Sequence, residues 1–235
     1  MEREVSKSPI ILALDTDSLD TAQRWIEATN SEISTYKAGL EFFLAHGVEG
    51  VSALRNAGNF DLFLDLKLHD IPNTVAGAVR SIKNLRPRFL TVHASGGSKM
   101  ISAATEVDSA IAITAVTILT SLSDDDLNEI GFKESSLEAA VKLANIAVRS
   151  GASAIVCSPL EVEKIRRTVG EDIVLITPGV RPADSDRGDQ SRVMTPAQAH
   201  KAGADFLVIG RPITSLDSLQ AMREKAQEIN ESIFG

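Results

Sequence analysis

Residues 63–74 read FLDLKLHDIPNT. Phe63, Leu64, Leu66 and Leu68 look like part of a strand, yet Asp65, Lys67, His69 and Asp70 interrupt them before the chain reaches Pro72. Charged side chains are costly in a core unless they are paired, so this strand must end where charge is useful. Asp65 and Lys67 are two positions apart and project from the same face of a strand, while Leu64, Leu66 and Leu68 project from the other. One face then packs on helices, and the other carries charge toward an opening.

The same layout recurs along the chain. Strand-like runs are PIILALD (9–15), ISTYKAG (33–39), FDLFLDLK (60–67), RFLTVHA (88–94), AIAITAVTIL (110–119), SAIVCS (153–158), DIVLITPG (172–179) and DFLVIGRP (205–212). They are short, rich in Ile, Val and Leu, and show little strict alternation, which is how parallel strands covered on both faces read. Amphipathic segments separate them. Ser18, Ser136 and Thr195-Pro196 signal helix starts, and Gly58, Gly151, Gly170 and Gly203 signal helix ends. Eight such units in 235 residues predict an α/β protein, a (β/α)8 TIM barrel forming a single domain over residues 1–235. The chief rival is a doubly wound open sheet, but no GxGxxG follows the first strand and polar residues collect after nearly every strand. Two connections are long and polar: SLSDDDLNEIGFKES after strand five and RPADSDRGDQSRVM after strand seven. Loops at those places lie over the catalytic face of a barrel and read as lids.

Composition narrows the function classes. Aromatic residues make up 4% of the chain, so the expected core is mostly Ala, Val, Ile and Leu. Lys and Arg number 24 against 32 Asp and Glu, for a net charge of −8, with no basic stripe. That argues against a nucleic-acid partner and requires any anionic ligand to be held by locally concentrated donors. Cys157 lies in the apolar run SAIVCS and reads as a small core hydrophobe rather than a nucleophile. No apolar stretch approaches the roughly 20 residues needed to cross a bilayer, and MEREVSKS has no apolar leader character. The expectation is a soluble cytoplasmic protein without a membrane partner. His46, His69, His93 and His200 lie on separate elements without ligand spacing, so no metal site is expected. His93 could help shape a site at its strand end, whereas His200 reads as an exposed helix residue.

Catalytic groups of a barrel sit at the C-terminal ends of its strands. There this chain carries Asp15, Lys37, Asp65 with Lys67, His93, Thr120, Gly179 with Arg181, and Gly210 with Arg211. In a row of alternating Lys and Asp, each ammonium has anionic neighbours that favour its charged form. A protonated lysine beside a reacting carbon is a general acid and a fixed positive charge, and is poorly suited to Schiff-base chemistry. At the last two strands, Gly179 and Gly210 allow close backbone approach while Arg181 and Arg211 offer forked donors, a combination suited to phosphate.

Together these residues resemble the orotidine 5′-phosphate decarboxylase family. DLKLHDIPNT is similar to that family's DxKxxDIPxT signature. Further similar blocks are LALD (12–15), YKAGL (36–40), TVHASGG (91–97), LTS (119–121), TPGVRP (177–182), DQSRVMTP (189–196) and IGRPIT (209–214). The resemblance spans about residues 9–229, with Leu68 standing where close relatives often have Phe. It implies decarboxylation of orotidine 5′-monophosphate to UMP, the last step of de novo pyrimidine synthesis, in a homodimer without metal or organic cofactor. It implies that Lys67 donates a proton to C6, that Asp65 and Lys37 flank it, and that Asp70 and Thr74 reach the neighbouring subunit's site. Asp15 and Lys37 would contact the ribose, Thr120 the pyrimidine edge, and Arg181, Gln190, Gly210 and Arg211 the phosphate. Mg²⁺-dependent sugar-phosphate decarboxylases and hexulose-phosphate synthases share the barrel and the DxK pair, although the DIPNT continuation argues against them. A Schiff-base aldolase and a non-catalytic phosphate-metabolite binder are the remaining alternatives.

Overall fold

The computed structural model describes residues 8–182 and 194–234. Its strands are β1 (Ile10–Ala13), β2 (Thr35–Gly39), β3 (Asp61–Leu68), β4 (Phe89–His93), β5 (Ala112–Val116), β6 (Ala154–Val156), β7 (Val174–Thr177) and β8 (Phe206–Ile209). They pair in parallel, in chain order, and close into a barrel where β8 meets β1 from Ile10↔Leu207 to Leu12↔Ile209. That closing pair makes the sheet a barrel and excludes the open-sheet alternative. Around it lie α1 (Leu19–Thr29), α2 (Leu40–Ala53), α3 (Pro72–Ile82), α4 (Gly97–Thr105), α5 (Asp124–Glu129) and α6 (Ser136–Arg149). The remainder are α7 (Val162–Val169), α8 (Pro196–Lys201), α9 (Arg211–Thr214) and α10 (Leu219–Phe234).

Side-chain alternation along the strands produces two cores. Leu12, Leu64, Leu90, Ile113, Ile155 and Leu207 point outward and pack under the helices. Ile11, Phe63, Phe89, Ala154 and Ile176 point inward, with Phe206 and Val208 against them. The outer core is aliphatic, as composition suggests, but the barrel interior departs from that expectation because it is built around three phenylalanines. Phe63 and Phe89 meet edge to face at 5.8 Å, and Phe89 meets Phe206 at 5.6 Å. Three rings fill a narrow barrel with few side chains, so scarce aromatics suffice when each one is central. Below them the Arg88 guanidinium lies 4.9 Å from the centres of the Phe89 and Phe206 rings and pairs with Asp61 at 2.9 Å. This plug sits where β3 and β4 begin, so the end away from the strands' C-terminal loops is closed.

Local signals mostly hold. Ser18 caps α1 by accepting from the Thr21 N–H, and Thr195 with Gln198 forms a capping box ahead of Pro196 on α8. For α6 the cap is Ser135, paired with Glu138, one residue earlier than the expected Ser136. The helical segment after β2 is interrupted at Gly47, where φ 61° and ψ −159° leave the helical region. The long connection after β5 is not a plain loop, because Ser123 and Asp126 cap the short helix α5 and bury Leu127. Most of the connection after β7 lies outside the described residues. Its base is joined by the Val180↔Met194 bridge, with the Arg181 N–H donating to the Met194 carbonyl at 3.0 Å.

Candidate active site

The charged end of β3 is built by a break in strand register. Leu64 pairs with Leu90 but Leu68 pairs with Val92, so β3 advances four residues while β4 advances two. The surplus falls at Asp65–Lys67 as a bulge, a device that re-aims side chains near functional sites. Lys67 has φ 48°, in the left-handed region, which costs a non-glycine residue about 1–3 kcal/mol and persists only where surroundings enforce it. Its N–H, displaced from the regular ladder, donates to Thr91 Oγ1 at 2.8 Å. The leucines face the helices as read from the sequence, but the bulge, rather than a regular pleat, aims Lys67.

Four side chains then form a continuous line of alternating charge. Asp15 and Lys37 approach to 3.1 Å, Lys37 and Asp65 to 3.5 Å, and Asp65 and Lys67 to 2.8 Å. Asp65 Oδ1 accepts from Lys67 Nζ and, at 3.1 Å, from Thr91 Oγ1, while Oδ2 faces Lys37. The side chains of Lys37 and Asp65 are 10% and 13% exposed, against 29% for Lys67 and 64% for Asp15. The buried centre of the line therefore holds Lys67 while leaving it access to the opening. Burial opposes charge on Lys37, but Asp65 and Asp15 outweigh it and raise the Lys37 pKa above the ordinary lysine value. Burial likewise opposes ionisation of Asp65, yet Lys37, Lys67 and the Thr91 hydroxyl hold its carboxyl below the ordinary range. Each charge thus depends on its neighbours.

The line borders a cavity of about 280 Å³, near the lower end of sizes usual for small-ligand sites. Asp15, Lys37, Asp65 and Lys67 form one wall; Thr120, Pro178, Gly179, Arg181, Gly210 and Arg211 lie around the rest. Phe63, Val116, Ile118, Val156 and Val208 supply an apolar floor. Gly179 has φ 77°, which glycine alone adopts without strain. Arg181 is buried, and its Nη1 donates to the Val180 carbonyl at 3.0 Å. Arg211 opens α9 just after Gly210, where an added Cβ would lie 3.4 Å from the Ala13 Cβ. A planar ligand on the apolar floor could thus meet alternating charge on one side and arginines on another. Asp70 and Thr74 do not border this cavity. Both are exposed beyond β3, next to Ile71, which is 67% exposed, and Asp70 Oδ1 accepts from the Ile71 N–H at 2.6 Å. Gln190 lies outside the described residues.

A sequence profile described as "Orotidine 5′-phosphate decarboxylase / HUMPS family" matches residues 8–226. The chain belongs to this family. Among its relatives, orotidine 5′-phosphate decarboxylase of Thermobifida fusca (strain YX) is 53% identical over 207 residues, covering 88% of this chain and 89% of the relative. The enzyme of that name from Pasteurella multocida (strain Pm70) is 46% identical over 96% of this chain and 97% of its own. A solved structure of orotidine 5′-phosphate decarboxylase from Lactobacillus acidophilus aligns with a TM-score of 0.80 at 36% identity, covering 95% of this chain and 99% of that one.

Within this orotidine 5′-phosphate decarboxylase / HUMPS barrel, three features escape a reading by sequence. Thr91 is uncharged and lies mid-strand in TVHASGG, so only the register of the bulge reveals its two hydrogen bonds. His69 and His93, read as unconnected, meet with ring centres 5.4 Å apart. Burial lowers the His93 pKa, with His69 and Lys67 adding to the effect and Asp65 opposing it. His200 is half-buried rather than exposed, because α10 brings Phe234 to 5.5 Å from its ring. Cys157 is fully buried, and burial with nearby Glu161 raises its thiol pKa, as suits a core hydrophobe.

Proposed function

We propose that this chain decarboxylates orotidine 5′-monophosphate to UMP in pyrimidine biosynthesis, with Lys67 as the proton donor to C6. The observation that carries this reading is the Asp15–Lys37–Asp65–Lys67 line beside a cavity that also holds Arg181 and Arg211. Loss of CO₂ from C6 leaves an electron pair in the plane of the ring, where the ring cannot delocalise it. A preorganised ammonium at that carbon stabilises the developing charge and then transfers a proton to it. The lysine becomes a neutral amine and recovers its proton from solvent after product leaves. Asp65 fixes the ammonium through its 2.8 Å contact, and Lys37 keeps Asp65 ionised.

In this reading Asp15 and Lys37 bind the ribose and Thr120 the pyrimidine edge, while Arg181, Gly210, Arg211 and Gln190 bind the phosphate. Phosphate binding far from C6 supplies energy that can serve to orient the reacting groups and expel water. Asp70 and Thr74, displaced from their own cavity and exposed, serve the neighbouring subunit's site in a homodimer. The chain acts as one domain, a view supported by the packing of α1 on α10. It works in the cytoplasm; among the described residues no helix is long and apolar enough to cross a membrane.

The family name also covers the HUMPS branch, the Mg²⁺-dependent rival. Relatives from 43% to 53% identity carry the decarboxylase name, which favours the first reading. Following the loss of orotidine monophosphate absorbance with and without EDTA tests it. Equal turnover in both is expected; no turnover in either removes the proposal, and EDTA-sensitive turnover overturns the metal-independent chemistry.

A further inference from the structure

We infer that Thr91 is a positioning residue for the proton transfer, acting through Lys67 and Asp65 without touching substrate. This rests on the decarboxylase reading above, since it concerns how that site's proton donor is held. Thr91 is fully buried in β4 and is not among the residues that line the cavity. Its side chain points inward, between Phe89 below and His93 at the strand end, and lies beside the bulge of β3.

Both hydrogen-bonding roles of one hydroxyl are used there. Oγ1 accepts from the Lys67 backbone N–H at 2.8 Å and donates to Asp65 Oδ1 at 3.1 Å. The first bond satisfies the N–H that the bulge removes from the ladder and so holds Lys67 at φ 48°. The second helps set the rotation of the Asp65 carboxylate, whose same oxygen accepts from Lys67 Nζ at 2.8 Å. Backbone and ammonium of the proton donor are therefore tied to a single buried hydroxyl. Valine matches threonine in shape but offers neither bond. It would leave the Lys67 N–H without a partner and free the carboxylate to turn toward Lys37, 3.5 Å from Oδ2.

The test compares wild type, Thr91→Val, Thr91→Ala and Thr91→Ser in steady-state decarboxylation, with UMP affinity and thermal melting measured on each. For Val and Ala, kcat should fall on the order of 10²-fold, the usual scale for a misplaced catalytic group, with UMP affinity within about threefold of wild type because Thr91 lies outside the cavity. Ser keeps the hydroxyl and should restore kcat to within about fivefold of wild type. A folded Val or Ala variant with wild-type kcat overturns the inference, as does equal loss of kcat and UMP affinity. If neither folds, Ser decides, and a folded Ser enzyme slowed tenfold or more (about 1.4 kcal/mol in the barrier) overturns it. Wild type lacking turnover counts against the decarboxylase reading itself, whereas active wild type with an unaffected Val variant counts against Thr91 alone.

Discussion

Asp65 holds the centre of the site because both of its oxygens are engaged, one with Lys67 and Thr91 and the other with Lys37. Its charge was legible from FLDLKLHDIPNT, although the bulge, not regular two-residue spacing, brings Lys67 beside it. The His69–His93 contact was not, because nothing in the intervening residues encodes the meeting of two strand ends. His93 gives a pH prediction. Burial, His69 and Lys67 lower its pKa in the fold below the ordinary value of about 6.5. The unfolded chain then binds this proton more readily, so the stabilising effect is complete above about pH 6.5 and is lost as pH falls below it. Melting temperature measured from pH 8 to 5 should fall in that acid range, and His93→Asn should flatten the fall. An unchanged slope in the variant would mean that other groups set it.

At the scale of elements, periodicity and capping chemistry carried most of the information. Every strand-like run overlaps a strand, and Pro196, with Thr195 before it, opens α8 as expected. Boundaries slipped where two candidates compete for one role. Ser135 and Ser136 are adjacent serines ahead of α6, and only Ser135 is placed so that its hydroxyl accepts from the Glu138 N–H while Glu138 reaches back to it. Ser135→Ala should therefore destabilise the protein by about 1 kcal/mol in denaturant unfolding, while Ser136→Ala should change it by less than about 0.5 kcal/mol. Both should leave decarboxylation unchanged. The opposite order of stabilities would return the cap to Ser136. The bulge in β3 gives no local signal, because Lys67 carries a left-handed backbone without the glycine or asparagine that usually marks one.

For the whole molecule, the decisive prediction concerns whether one barrel is a complete catalyst. Lys67 borders its own cavity, while Asp70 and Thr74 stand exposed outside it. If they complete the neighbour's site, Lys67→Ala and Asp70→Ala homodimers should each be nearly inactive. Mixed in equal amounts and allowed to exchange, half the dimers should be hybrids with one intact site of two, restoring about a quarter of wild-type activity. Exchange confirmed by mass, with no activity returning, would place Asp70 and Thr74 outside the neighbouring site.

By itself the sequence determined the eight-unit barrel, the presence of Asp65 and Lys67 at the end of strand three, and the arginine-bearing ends of the last strands. Those properties are written in neighbouring residues, as strand pattern, cap chemistry and charge at strand ends. Only the tertiary structure decided that Asp15, Lys37, Asp65 and Lys67 form one line, that three phenylalanines fill the barrel, and that Thr91 anchors the bulge. Those contacts join strands far apart in the chain. Their geometry follows from closing β8 onto β1 and from a register shift that no local pattern specifies.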